Sequence, residues 1–154
     1  MNQISEGYFY HIKDSFFELV QDGSLRKNKD GGGYRPHFLA IKDSANLDLY
    51  WMVPVSSRYE KYKRVFDDQI RKYHKCTKIV LGNCGGHEAA FLVQNAFPIT
   101  MDFIDHIHTV AKQPLRMHVT TAKKIAESLR ENLLVFRQLL YPKTPLPIFA
   151  MPVH

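Results

Sequence analysis

LYWMVPVSSRYEKYKR, residues 49–64, decides how the rest of the chain is read. An apolar run from Leu49 to Val55 stops at two small hydroxyl residues, Ser56 and Ser57, and a segment dense in positive charge and tyrosine follows at once. That pattern predicts a buried strand ending at the serines and a basic helix beginning there. Either serine suits an N-cap, because its oxygen can accept from the free N–H groups of a first turn. The same geometry favours an anion, since those N–H groups and the helix dipole both attract a phosphate. An ordinary cap on a solvated basic helix is the plainer reading of these residues.

Working outward, PHFLAIK (36–42) reads as a strand and DSAN (43–46) as a turn into the apolar run, so the two form an antiparallel hairpin. Pro54 lies near the end of its strand, where a missing N–H donor is tolerated. Downstream, Tyr62, Phe66, Ile70 and Tyr73 fall at intervals of four, four and three. This is one face of a helix over residues 58–75, predicted to dock on the sheet while Arg58, Lys61, Lys63, Arg64, Arg71, Lys72 and Lys75 face outward. Such a face fits contacts to phosphate backbones, and it equally fits a solvated surface.

Upstream, GYFYHI (7–12) reads as a short strand and KDSFFELVQ (13–21) as a turn of helix. QDGSLRKNKDGGGYR (21–35) reads as a loop; Gly31 to Gly33 lack the Lys-Ser or Lys-Thr ending of a Walker motif. Beyond the basic helix, TKIVL (77–81) and EAAFLVQ (88–94) read as strands joined by the turn GNCGGH. Asn95 to Thr100 reads as a turn with Thr100 capping a helix that starts MDFIDHIHTV and breaks at Pro114. On such a helix His106 and His108, two apart, share no face and form no metal pair. A longer helix, 121–140, capped by Thr120 or Thr121, carries the stripe Ile125, Leu129, Leu133, Phe136 and Leu140. The proline-rich segment 141–154 cannot be regular structure.

This order of elements is not a βαβ alternation; it indicates an α+β domain with a mostly antiparallel sheet and helices about it. With 154 residues the chain has the length of one domain with its own core. Twenty-one Lys and Arg against fifteen Asp and Glu give a net charge of +6, which points to a polyanion partner, most simply nucleic acid. Cys76 and Cys84 form no CxxC pair, and His87-Glu88 lacks the second histidine of a metalloprotease helix, so no metal and no cofactor are expected. The start MNQISEGYFY has no signal-peptide pattern and the apolar runs are shorter than a membrane span, so the expected location is the cytoplasm, with no membrane partner.

RPHFLAI (35–41), a strand ending VPVSS (53–57), the basic helix and AAFLVQNAFPIT (89–100) together resemble the type III toxin–antitoxin toxins, the ToxN/AbiQ/CptN group. The QN-x-FPIT stretch is most similar to the CptN branch, and the resemblance runs over about residues 8–140. It implies a small barrel-like antiparallel sheet of the Kid/MazF kind and one endoribonuclease toxin domain over 1–154, with 141–154 as its tail. It further implies metal-independent cutting of cellular RNA to 2′,3′-cyclic phosphate ends. The inhibitor would be a repeat-derived RNA pseudoknot that the toxin cuts from its own antitoxin precursor, and toxin and RNA would close into a ring.

Carried over by position, the family's hydroxyl pair falls on Ser56 and Ser57, with Ser57 in the key place, its basic residue on Arg35, and its N-terminal Phe-Tyr on Phe9 and Tyr10. Gly31 stands where the family can have a tyrosine, leaving Tyr34 as the neighbouring candidate, and Tyr59 stands where it has a lysine, leaving the charge to Arg58 or Lys61. Cutting RNA through its own 2′-OH requires that hydroxyl deprotonated, the phosphorane stabilised and the 5′-oxygen protonated. Arg35 and Arg58 suit the phosphorane, Ser57 and Ser56 suit orientation of the phosphate, and Tyr10 or His11 suits proton transfer. Tyr59 and Tyr62 are candidates to stack on unpaired bases, beside Lys61, Lys63, Arg64, Arg71, Lys72 and Tyr34 as RNA contacts. A non-catalytic RNA- or DNA-binding protein using the same basic helix is the alternative.

Overall fold

The structure is a computed structural model of the chain; it describes residues 4–20, 29–30 and 33–140, excepting the side chains of 29, 30, 33, 34 and 136–140. Among the described residues, eleven strands and three α-helices follow in the order β1 (Phe9–Ile12), α1 (Asp14–Val20), β2 (Lys29–Asp30), β3 (Gly33–Tyr34), β4 (His37–Lys42), β5 (Leu49–Ser56), α2 (Tyr59–Tyr73), β6 (Val80–Cys84), β7 (His87–Phe91), β8 (Phe97–Thr100), β9 (Ile104–Ile107), β10 (Thr109–Val110), β11 (Gln113–Pro114) and α3 (Val119–Leu140).

β5 is the hub. It pairs with β4 along one edge, and along the other it pairs first with β8 and then with β7. Pro54 stands at the changeover, between Met52, which pairs with Phe97, and Val55, which pairs with Phe91. A proline is tolerated there, inside a central strand rather than at an end, and its carbonyl accepts the Leu92 N–H at 2.9 Å. The expected β4–β5 hairpin is present, turned by Asp43, whose Oδ1 accepts from the N–H groups of Ala45 and Asn46 while Oδ2 accepts from the Trp51 indole at 3.0 Å.

The seven-stranded sheet runs β6-β7-β5-β4-β1-β9 with β8 beside β5, and its pairings are antiparallel. The α+β class with a mostly antiparallel sheet is therefore as expected. Among the described residues β6 and β9 do not meet, so the sheet is not closed into a barrel. Strand alternation sends Phe9, Phe38, Val53, Val55 and Phe91 to one face, under Ile125 and Leu129 of α3. Tyr10, Ile12, Leu39, Met52, Phe97, Ile99 and Ile104 fill the other, with Phe16 of α1. Each such buried side chain contributes about 1.5–3 kcal/mol.

Several expectations give way. Residues 97–110 are not a turn and a helix: FPIT is β8 on β5, and IDHI is β9 on β1. Pro114 ends no helix but sits in the β10–β11 hairpin, whose turn residues Ala111 and Lys112 have φ of 52° and 67°. The strand predicted at 77–81 starts three residues later, and Gly82, Asn83 and Cys84 belong to it, because the tight turn needs only Gly85 and Gly86 at φ 61° and 88°. α3 starts at Val119, before either threonine, and His118 supplies the cap, its Nδ1 accepting from Thr120 N–H at 3.3 Å. α2 buries none of its residues: Tyr62 packs on Ile79, Ala90 and Leu92, whereas Ile70 and Tyr73 stay 38% and 66% exposed. The predicted stripe therefore docks only near its start. Most of loop 21–35, all of 141–154, and the Phe136 and Leu140 side chains lie outside the described residues.

Candidate phosphate-handling site at one end of the sheet

Register gathers the expected residues. Tyr10 pairs with His37, and His37 pairs with Pro54, so the end of β1, the start of β4 and the end of β5 lie in one row. Arg35 precedes that row by two residues in β4's direction, His11 follows Tyr10, and Ser56 and Ser57 follow Pro54. His37 itself is a core residue, fully buried with its ring centroid 5.9 Å from Phe17 and 5.5 Å from Phe97.

The two serines part company. Ser56 is buried, and its Oγ accepts from Arg58 N–H at 3.2 Å, which shapes the strand-to-helix turn. Ser57 is exposed, and its carbonyl takes the Tyr59 N–H at 2.8 Å. Neither caps α2 as expected. The N-cap position is Arg58, and no side chain bonds to the first turn. The helix starts at Tyr59, one residue later than expected, so the exposed end offers Ser57 Oγ, the Arg58 guanidinium and an uncapped first turn together.

Tyr10 cannot serve as a ready base. It is 2% exposed, its hydroxyl accepts from Ser5 N–H at 2.9 Å, and burial raises its pKa. His11 is held otherwise. Its Nε2 lies 2.8 Å from His108 Nδ1, its ring stacks on His106 with centroids 4.5 Å apart, and its Nδ1 is buried with no hydrogen-bond partner among the described residues. Burial first, then the neighbouring His106 and His108, push its pKa down to about 4, against a smaller opposite pull from Asp105. Burial and His106 lower His108 as well. His106 is mostly exposed and its Nδ1 lies 3.2 Å from Asp105 Oδ2.

His106 and His108 are the site residues that sequence reasoning missed. On a strand, residues two apart share a face, so the geometry that separated them on a helix brings them together over His11. The signal available was IDHIHTV, dense in β-branched residues.

α2 divides along its length. Lys63 bridges to Asp67 at 2.9 Å, Lys72 to Asp68 at 3.2 Å, and Arg71 also pairs with Asp68. Lys72 first, with Arg71, holds the Asp68 carboxyl below its usual range. Arg58, Lys61 and Arg64 make no ion pair among the described residues, so the open positive charge sits at the start of α2, next to Ser57. Lys61 Nζ lies 5.2 Å from the centre of the Tyr62 ring; Tyr62 packs one side on the core, and Tyr59 beside Ser57 is likewise partly exposed. The Tyr34 side chain lies outside the described residues.

Among the described residues no group of three His, Cys, Asp or Glu is set to hold a metal ion. Cys76 and Cys84 are unpaired thiols, and burial pushes Cys84 up to about 11. No helix of the described residues is long and apolar enough to cross a membrane.

No family model matches the chain, and no curated protein matches it. Among solved structures it is similar to AbiQ, a lactococcal anti-phage endoribonuclease belonging to the type-III toxin–antitoxin system. The identity is 11%, the TM-score 0.63, and the match covers 91% of this chain and 86% of that one. The two share a fold.

Proposed function

We propose that this protein is an endoribonuclease toxin of a type III toxin–antitoxin system. The reading is supported by exposed Ser57 and Arg58 and partly buried Arg35 lying next to the same end of the β4–β5 pairing, in a fold shared with AbiQ over 91% of the chain. Within that family the QN-x-FPIT stretch argues for the CptN branch, although the fold alone does not distinguish branches.

In this account a phosphate sits against Arg35 and Arg58, whose guanidinium groups hold its oxygens and stabilise the phosphorane. Ser57 donates a hydrogen bond that orients it; Ser56 supports the turn from beneath. The RNA's own 2′-oxygen attacks phosphorus as its proton passes to water, a 2′,3′-cyclic phosphate forms, and the P–O5′ bond breaks with a proton from water going to the leaving 5′-oxygen. No metal enters this scheme. The Tyr10 hydroxyl is bonded to Ser5, and the half-buried His11 has its Nε2 engaged by His108 and its Nδ1 buried, so catalysis rests on positioning and charge rather than on a side-chain base. Unpaired bases stack on Tyr59, and the backbone tracks Lys61 and Arg64. The partners are then cellular RNA and the protein's own repeat RNA, which it processes and whose pseudoknot inhibits it, in a closed toxin–RNA ring within the cytoplasm.

The test incubates the protein, in EDTA, with single-stranded RNA and with a transcript of any tandem repeats encoded beside its gene. Repeat-length fragments that disappear in Ser57→Ala support the reading. RNA that shifts on a gel but stays intact sinks it in favour of a binding protein.

A further inference from the structure

In the scheme just given the leaving 5′-oxygen takes its proton from water, yet an imidazole without a role stands on the strand next to Ser56. β5 ends at Ser56, which pairs with Ala90 of β7. β7 runs antiparallel to β5 and begins three residues before Ala90, at His87, so it overhangs the end of β5. Ser57 leaves β5 beside that overhang. At roughly 4.8 Å between neighbouring strands and 3.3 Å per residue, the Cα atoms of Ser56 and His87 stand about 11 Å apart. That separation leaves room for one RNA phosphate between the serine end of β5 and the imidazole.

The surroundings of His87 suit it to moving a proton. Its side chain is exposed, and no hydrogen bond or ion pair engages it among the described residues. Alternation sets it on the side of Ala89 and Phe91, opposite the face where Tyr62 of α2 packs on Ala90, so the helix does not cover it. Its backbone is well fixed. His87 pairs with Cys84 across the tight turn of Gly85 and Gly86, whose φ values are 61° and 88°. A methyl on Gly85 would meet Val110 Cγ2 of the β10–β11 hairpin at 3.8 Å, so the tip of the β6–β7 hairpin rests on a neighbour. Histidine is the residue type that gains and loses a proton near neutral pH. Glu88, the next residue, falls on the α2 side and carries the sign that a phosphate repels.

We propose that His87 is the general acid of the cutting reaction. Its imidazolium gives a proton to the 5′-oxygen as the P–O5′ bond breaks, and the neutral ring then recovers a proton from water. The 2′-hydroxyl proton passes to water as before. An alkoxide leaves poorly unless it is protonated, so this is the step that gains most from a donor held in place. The role rests on the RNA-cutting reading above and supplies the proton donor which that reading lacks.

The experiment compares wild type, His87→Gln and Glu88→Gln, in EDTA, on an RNA whose cut has been mapped. The second substrate is the same RNA with sulfur in place of the bridging 5′-oxygen at that bond. Loss of a general acid should slow cutting of the natural RNA by about 100-fold or more, in kcat rather than KM. A thiolate leaves without a proton, so His87→Gln should cut the sulfur RNA nearly as fast as wild type does. Glu88→Gln should cut both substrates at rates close to wild type. His87→Gln that cuts natural RNA at the wild-type rate overturns the proposal and leaves the endoribonuclease reading standing. Equal losses on the two substrates also overturn it, because a residue that only binds RNA or shapes the hairpin slows both alike. An equal loss in Glu88→Gln overturns it for the same reason. A wild-type protein that cuts neither substrate removes the endoribonuclease reading and the role of His87 with it.

Discussion

Acidifying the protein should destabilise it through His11. In the unfolded chain this imidazole titrates near 6.5, and in the folded protein at about 4, because burial and the adjacent His106 and His108 oppose its charge. Between those values the unfolded chain binds more protons than the folded one, so stability is fully present above about 6.5 and is lost as pH falls toward 4. At roughly 1.4 kcal/mol per pH unit the whole gap is worth about 3 kcal/mol. His11 is only half-buried, and solvent screening brings that to roughly 1–2 kcal/mol. His108, lowered for the same reasons, acts in the same direction. Urea unfolding at pH 7.5 and 4.5, for wild type and His11→Gln, isolates the effect, because carboxylates that titrate in this range do so in both proteins. With a urea dependence of about 2 kcal/mol per molar, the wild-type midpoint should drop by about 0.5–1 M more than the variant's. Equal acid losses in the two proteins would refute the argument that the cluster excludes charge.

Other consequences are simpler to read. A methyl at Gly82 would lie 2.9 Å from Thr121 Cγ2 and 3.3 Å from Phe91 Cε2, so Gly82→Ala should cost about 1–3 kcal/mol in chemical denaturation; a neutral result would mean that α3 packs less tightly on β6 than described. Lys112, at φ 67°, occupies backbone space that glycine adopts freely, so Lys112→Gly should stabilise by about 1 kcal/mol, seen as a higher Tm, and a lower Tm would contradict the turn geometry. On α2, replacing Lys61 and Arg64 by alanine should lower the salt slope of RNA binding by about 0.7 each. Replacing Arg71 and Lys72, which share the single opposite charge of Asp68, should change it less; equal effects would mean that the ion pairs do not persist in solution.

How much of this was legible depended on whether local pattern and tertiary pairing agreed. For 37–56 they did: two β-rich runs about Asp43 to Asn46 form a hairpin whatever surrounds them. For 97–110 they did not. MDFIDHIHTV has its apolar residues at helix-like intervals, but the edges of β1 and β5 need partners, and pairing with them outweighs a helix that could bury little. Misreading that segment hid the histidine cluster, because whether His106 and His108 share a face depends on the element that carries them. The serine cap failed for a finer reason. Ser56 is drawn into the sheet by pairing with Ala90, so the turn is completed one residue further on and Arg58 takes the capping position. The α2 stripe was correct as a pattern, but among the described residues the helix packs chiefly on β6 and β7, and Ile70 and Tyr73 in its far half stay exposed. Arg35, Ser57 and Arg58 were identified from resemblance and chemistry, and register brings the segments next to them, at His37 and Pro54, to one end of the sheet.

The central claim is that RNA is cut at this sheet end by its own 2′-hydroxyl. The direct measurement maps one cut, then offers the same RNA with a single 2′-deoxy nucleotide on the 5′ side of that bond, in EDTA. The account predicts a 2′,3′-cyclic phosphate end on the natural RNA and no cut at that bond in the substituted one. Cutting that persists without the hydroxyl would contradict it, and the roles given to Arg35, Ser57 and Arg58 would fall with it.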